Sequence, residues 1–232
     1  MTTNKPEPID RHGLTVSTIS TLLVLALLLF VPAGTWAWSK GWLFFVVVVA
    51  AGVVITKYLK RVNPDIVAAR VNRHGGTKHW DRVLLAIFLP TVMLIPILAA
   101  LDDGRFHWSH VPWWLCGIGY ILLGAGLAGM TWAEAVNKHF EPTVRIQTDR
   151  AHTVIDSGPY AFLRHPGYVA ASLMFVGIAL SLGSLWALVP AVVSCLLLVV
   201  RTVLEDKTLR NELPGYEEYA QRVRYRLVPG VW

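Results

Sequence analysis

Hydrophobic positions fall in long unbroken blocks along this chain, not at the spacing of half-buried helices or strands. A helix needs roughly 20 apolar residues to cross the hydrocarbon core of a bilayer. Blocks of about that length run from Thr15 to Ala33, Gly41 to Tyr58, Val83 to Leu101 and Trp113 to Trp132, and predict four membrane helices within 15–132. From His165 to Val200, 36 positions pass without Asp, Glu, Lys or Arg. At about 1.5 Å per residue this is too long for one span and enough for two short ones. Gly183-Ser184 near its middle predicts a turn, giving a helical hairpin over 166–204. The two ends of such a hairpin meet on one side of the membrane, so Arg164-His165 and Arg201…Glu205 should be neighbours. Beyond Glu205, Tyr216, Tyr219 and Val223 at i, i+3, i+7 predict an amphipathic helix on the membrane surface, broken near Pro214-Gly215. The fold predicted is an all-α, polytopic membrane helical bundle of about six transmembrane helices, a single integral membrane domain over 1–232.

Finer features follow the same pattern. The first ten residues, which bear Pro, Glu and Lys, predict a flexible tail. Lys5 and Arg11 ahead of an apolar core also suit a secretory signal, but no clear A-x-A site follows and the block is long, so a retained first span is expected. Pro90 and Pro96 predict kinks in the third span. Trp36, Trp38, Trp42, Trp108, Trp113, Trp114 and Trp132 gather at span ends, as interfacial anchors do. Between the second and third spans lie Lys57, Lys60, Arg61, Arg70, Arg73, Lys78 and Arg82, whereas the opposite loops offer only Lys40 and Arg105. This asymmetry places the Lys57–Arg82 loop, the segment 133–164 and both termini in the cytoplasm. The host membrane would be the inner membrane of a bacterium or the endoplasmic reticulum of a eukaryote.

Composition agrees with the pattern and narrows it. Only 16% of residues are charged and 54% are hydrophobic, against about 25% charged in soluble domains. The net charge of +6 lies in loops beside apolar helices, where it faces anionic headgroups, and no basic surface is left for nucleic acid. The expected partners are therefore membrane lipids, with no nucleic acid and, since neither cysteine lies near a CxxC or His/Cys cluster, no metal. Cys116 and Cys195 both sit inside apolar blocks and read as buried thiols.

Gly124-Ala125-Gly126-Leu127-Ala128-Gly129 satisfies GxGxxG, with Asp149 twenty residues further on. That fingerprint has meaning only between a strand and a helix. Inside an apolar span its glycines predict close helix packing instead. The stretch Gly158-Pro159-Tyr160-Ala161-Phe162-Leu163-Arg164-His165-Pro166-Gly167-Tyr168 is more informative. His165 before a proline is pushed towards extended geometry, and Pro166 suits a first helical turn. A helix N-terminus there could hold a carboxylate. The same residues would serve equally as an interfacial anchor. Arg201 and Glu205 share a helical face at i, i+4 and are either a site or a snorkelling ion pair.

Together, the His152-x-Val154/Ile155…Gly158-Pro159-Tyr160…Arg164-His165-Pro166-x-Tyr168 pattern, the uncharged hairpin and Arg201-x-x-x-Glu205 resemble the isoprenylcysteine carboxyl methyltransferases and their bacterial relatives. The resemblance is specific from about Asn137 to Trp232, with Asn63-Pro64 and Trp80-Asp81-Arg82 as weaker upstream echoes. It implies a catalytic part over 133–232 and a cytoplasmic pocket for S-adenosyl-L-methionine as methyl donor. The lining it implies comprises Gln147, His152, Thr153, Val154, Ile155, Tyr160, His165, Pro166, Gly167, Tyr168 and Glu205, with Arg201 catalytic at the acceptor end. The activity it implies is methylation of a lipophilic acceptor, an isoprenylcysteine-like carboxylate first. A phospholipid amine or small-thiol acceptor is the alternative. A transporter or scaffold is disfavoured by the scarcity of polar groups within the spans.

Overall fold

Backbone polar groups have no water to bond within a bilayer, so an apolar chain of this kind satisfies them internally as helices. The computed structural model describes residues 11–64 and 76–232; the expected flexible tail, Arg70 and Arg73 lie outside them. The order is α1 (Arg11–Ala33), α2 (Ser39–Val62), α3 (His79–Ala99) continued by a π-helical segment (Ala100–Phe106), α4 (Trp113–Val136), α5 (Pro166–Ser181), α6 (Leu188–Glu212) and α7 (Tyr216–Arg222). Among the described residues there is no strand. Among the described residues four helices are long and apolar enough to cross a membrane: α2, α3 with its π extension, α4 and α6. Two shorter apolar helices, Ile19–Ala33 within α1 and α5, complete the six apolar elements. This is a polytopic helical membrane protein. Large apolar side chains such as Val54, Ile121 and Leu196 are exposed on its outside, where lipid tails would lie.

The hairpin forms as the uncharged run requires. α5 begins at Pro166, Gly183 takes φ +81° in the turn, and α6 begins at Leu188. α6 runs on to Glu212, past the expected end at 204. The glycine-rich stretch in α4 is a packing seam. A Cβ on Gly126 would stand 2.7 Å from the Ala170 carbonyl oxygen of α5, and Gly119 and Gly177 are equally tight, while Gly124 faces open space. Small residues thus let α4 and α5 run backbone to backbone.

Two expectations change. Trp38 is buried at 5% exposure and donates from Nε1 to Asp103 Oδ2 at 2.7 Å, so it is a core residue, unlike the exposed Trp36, Trp108, Trp113 and Trp114. The terminal helix α7 spans only seven residues, and its Tyr216 and Tyr219 are buried against the protein. Both carry hydroxyls that find partners inside, Asp206 Oδ1 at 3.0 Å and the Tyr160 carbonyl at 2.7 Å. A polar tip with an internal acceptor favours docking over lying on a lipid surface. Pro90 and Pro96 sit within a helix that continues unbroken, and its winding changes to π from Ala100.

At the hairpin-turn end, Asp102 is fully buried. It accepts from the Ser109 amide at 2.7 Å, from the Ser109 hydroxyl, and from the Ser184 hydroxyl at 2.6 Å. Those hydroxyls in turn accept from the Leu185 and Ala187 amides at 3.1 and 3.0 Å. Beside it Lys40 pairs with Asp103 at 2.6 Å.

Candidate functional site

The other end of the hairpin builds a site. His165 precedes α5 in non-helical geometry and Pro166 occupies its first turn. The bend is braced from the C-terminal segment, because the Arg164 and His165 amides donate to the carbonyls of Tyr225 and Arg226 at 3.0 and 3.1 Å. One turn into α5, the Tyr168 ring lies parallel to His165, with centroids 5.6 Å apart. Its hydroxyl donates to Glu205 Oε2 on α6, and the Arg201 guanidinium stands 5.6 Å from its ring centroid. The two hairpin ends therefore meet.

Between them and the segment 137–155 lies a cavity with about 840 Å³ of empty space, including its open mouth. Gln147, His152, Thr153, Val154, Ile155, Tyr160, His165, Pro166, Gly167, Tyr168 and Glu205 all line it. One wall is a hydrogen-bonded set. Gln147, 2% exposed, donates from Nε2 to the His139 carbonyl at 2.7 Å. The Thr153 amide donates to His139 Nε2 at 3.3 Å, which leaves the ring proton on Nδ1, 3.3 Å from Gln147 Oε1. The Gln147 amide donates to His152 Nδ1 at 3.4 Å, and the two imidazoles stack with centroids 4.5 Å apart. Burial, and then the neighbouring His139, push the His152 pKa down to about 4; burial also lowers that of His139. Both rings are thus neutral hydrogen-bonding groups at ordinary pH. Phe140, Leu209 and Leu213 give the cavity apolar surface.

Arg201 does not line this cavity. Its fork is taken by Asp81 of α3, with Nε to Oδ1 at 2.9 Å and Nη2 to Oδ2 at 3.2 Å, and Nη2 also donates to the Pro142 carbonyl at 2.7 Å. Asp81, fully buried, accepts the Val144 amide at 2.7 Å as well. A bidentate contact between Arg201 and another carboxylate is therefore not open in this arrangement.

Sequence reasoning left Asp81, His139, Arg164 and Asp206 out of the site, although Arg164 and Asp81 stood in the patterns it used. Asp81 carried a signal, an acid at the edge of an apolar block. Asp206 follows Glu205 by one residue, yet it faces a different group: Arg164 Nε at 3.4 Å, His165 Nε2 at 3.7 Å, Arg210 Nε at 3.2 Å and Arg226 Nε at 3.1 Å. Spacing alone could not divide the two acids in this way. Among the described residues, no group of three His, Cys, Asp or Glu is placed to hold a metal ion.

Comparison with known proteins finds one family and two curated relatives. Residues 114–213 match a family described as Phospholipid methyltransferase. Over 134 residues the chain is 29% identical to "Cobalt-zinc-cadmium resistance protein CzcN" of Cupriavidus metallidurans, an alignment covering 56% of the chain and 58% of that relative. Over 155 residues it is 27% identical to "Protein-S-isoprenylcysteine O-methyltransferase B" of Arabidopsis thaliana, covering 65% of the chain and 79% of that protein.

Proposed function

We propose that this relative of the membrane-bound phospholipid and isoprenylcysteine methyltransferases moves a methyl group from S-adenosylmethionine to a lipophilic acceptor supplied by the bilayer. The observation that carries the reading is a cavity at the hairpin base lined by every residue the motif pattern assigns to the cofactor. The wall suits that ligand. The neutral His139–Gln147–His152 set offers hydrogen bonds to a heteroaromatic base, apolar residues flank it, and Glu205 supplies a negative charge near a sulfonium. The positive-inside asymmetry supports a cytoplasmic mouth for this cavity and cytoplasmic termini, in one membrane-embedded unit with its catalytic part over 133–232.

When bound, the cofactor supplies an electrophilic methyl on sulfur; the methyl–sulfur bond breaks as the acceptor bond forms, and sulfur keeps the electron pair. The chain's residues hold geometry and exclude water, which is most of what such a displacement requires. Tyr168, fixed between His165 and Arg201 and bonded to Glu205, separates the cavity from the Arg201–Asp81 pair. Arg201 marks the acceptor end and would contact the acceptor through Nη1, the nitrogen that neither Asp81 nor the Pro142 carbonyl takes.

For the acceptor, the likeness to the Arabidopsis enzyme supports an isoprenylcysteine-like carboxylate, which needs orientation and no general base. A second reading, a phospholipid amine, is supported by the matched family and by the Asp81 carboxylate, which cancels the Arg201 charge and removes its repulsion of a cation. An amine must lose a proton, and Glu205 and His165, which both line the cavity, are the candidates to take it. A labelled-methyl screen over prenylcysteine and aminophospholipid vesicles separates the two, with Arg201→Lys measured beside it. Turnover in that variant should fall about tenfold or more while cofactor affinity stays within a few-fold, because lysine cannot keep the fork on Asp81. Transfer to neither acceptor class removes the reading.

A further inference from the structure

Asp81 is fully buried and does not line the cavity. It stands in the first turn of α3, where free backbone donors favour an anion. Its two oxygens meet donors from two other parts of the chain. Oδ1 takes Arg201 Nε from α6, and Oδ2 takes both Arg201 Nη2 and the Val144 amide. Val144 does line the cavity, and its carbonyl accepts from the Lys78 amide at 3.0 Å. The start of α3 thus grips the cavity wall by both polar groups of one residue. The carboxylate that completes this grip is the one that holds Arg201.

Charge bookkeeping gives this contact a role beyond packing. Arg201 is only 5% exposed, so water screens its charge little. One turn along α6, Glu205 carries the opposite charge and accepts the Tyr168 hydroxyl. Arg201 and Glu205 alone would balance, with a fork left open for an anionic head. Asp81 adds a second carboxylate against the one guanidinium and fills that fork. A buried ion pair is often replaceable by apolar residues without loss of stability, so joining α3 to α6 does not by itself call for one.

We infer that Asp81 is a positioning residue that sets the charge selectivity of the acceptor end, by withdrawing the fork and the charge of Arg201 from an anionic head. This deepens the proposed function and rests on it for where the acceptor sits. Asp81 acts through Arg201, leaving Nη1 as one donor of a neutralised pair. A carboxylate arriving there meets the field of Asp81 without a fork to receive it. An uncharged or cationic head meets no such penalty.

The test uses two probes with one prenyl tail and opposite heads, N-acetyl-S-farnesylcysteine as the anion and S-farnesylcysteamine as the cation. Their dissociation constants are measured on the full chain in lipid nanodiscs, with S-adenosylmethionine binding and methyl transfer followed beside them. Asp81→Asn should shift the ratio of affinities towards the anionic probe by about tenfold or more, the scale for one weakly screened charge. Arg201→Gln, which leaves Asp81 unpaired, should shift it the other way. The double variant Asp81→Asn/Arg201→Gln removes both charges together and should return the ratio to within about threefold of the wild type. If Asp81→Asn fails to fold, the step from Arg201→Gln to the double variant asks the same question, with the same tenfold shift towards the anion expected. An unchanged ratio in that comparison overturns the inference. So does equal weakening of both probes in Asp81→Asn, because the carboxylate would then only brace Val144 and α6. Wild-type protein that neither binds S-adenosylmethionine nor transfers a methyl group overturns the functional reading, while the affinity ratios still decide the role of Asp81.

Discussion

At one end of the bundle Asp102 is surrounded by an amide and by two serine hydroxyls that each accept from a further amide, and Lys40 closes on Asp103 next to it. At the other end Asp206 sits at equal depth among three arginines, a histidine and a tyrosine, and donors on Arg164 and His165 remain open. Both ends hold a buried acid that ties distant segments together. The first has used its hydrogen-bonding capacity on itself and pins the hairpin turn to the end of α3. The second keeps capacity in reserve beside a cavity. Burial and charge alone would give the two clusters the same standing; the accounting of donors and acceptors separates a clamp from a site.

The comparison breaks most visibly at Glu205. Glu205→Gln should lower S-adenosylmethionine affinity by about two decades, since the loss of a charged partner in a buried site costs roughly 3–5 kcal/mol. Its thermal midpoint should stay near that of the wild type, and calorimetry beside a melting curve reads both. Near-native affinity would take Glu205 out of the site. The mirror-image variant at the far end is Asp102→Asn, which turns an acceptor into a donor facing two hydroxyls. It should cost about 1–3 kcal/mol of stability and leave methyl transfer per folded molecule unchanged. A loss of turnover at full stability would join the two ends functionally.

A smaller effect is expected from pH. His152 is held neutral, with its pKa pushed down to about 4 from the ordinary 6.5. The unfolded chain therefore binds the proton more readily between those values, so the stabilisation is complete above about pH 6.5 and is lost as pH falls towards 4. The melting temperature should decline over that window, and His152→Gln should flatten the decline. An identical slope in the variant would assign the acid sensitivity to other groups.

Much of this was legible in the sequence because a membrane penalises charge so heavily. The uncharged run from His165 to Val200 could be accommodated only by a turn near its middle, and that turn alone forces Arg164 and Glu205 together. The glycines of α4 were readable as a seam for the same reason, although which of them face α5 was not: Gly126 does and Gly124 does not. The Arg201–Asp81 pair was illegible. It joins residues 120 positions apart, and Arg201 was expected to turn its fork towards an acceptor when that fork was already engaged within the protein. The tyrosines of α7 had the right period for an amphipathic surface helix, but periodicity names a face without saying what covers it. Asp206 and the Tyr160 carbonyl supplied the internal partners.

The turn at Gly183-Ser184 also bears on how the chain is made. Ser184 is fully buried and uncharged, and the hairpin carries no ionic side chain from His165 to Val200. Pushing its tip through the bilayer therefore moves no net side-chain charge across the transmembrane potential, which acts at about 2.3 kcal/mol per elementary charge per 100 mV. Its insertion is electrically silent, so a depolarised cell should assemble the hairpin as readily as an energised one. In the proposed orientation, with the opposite end cytoplasmic, Lys40 and Arg105 on the same side of the molecule as that tip would by contrast be carried across as charges while the earlier segments thread.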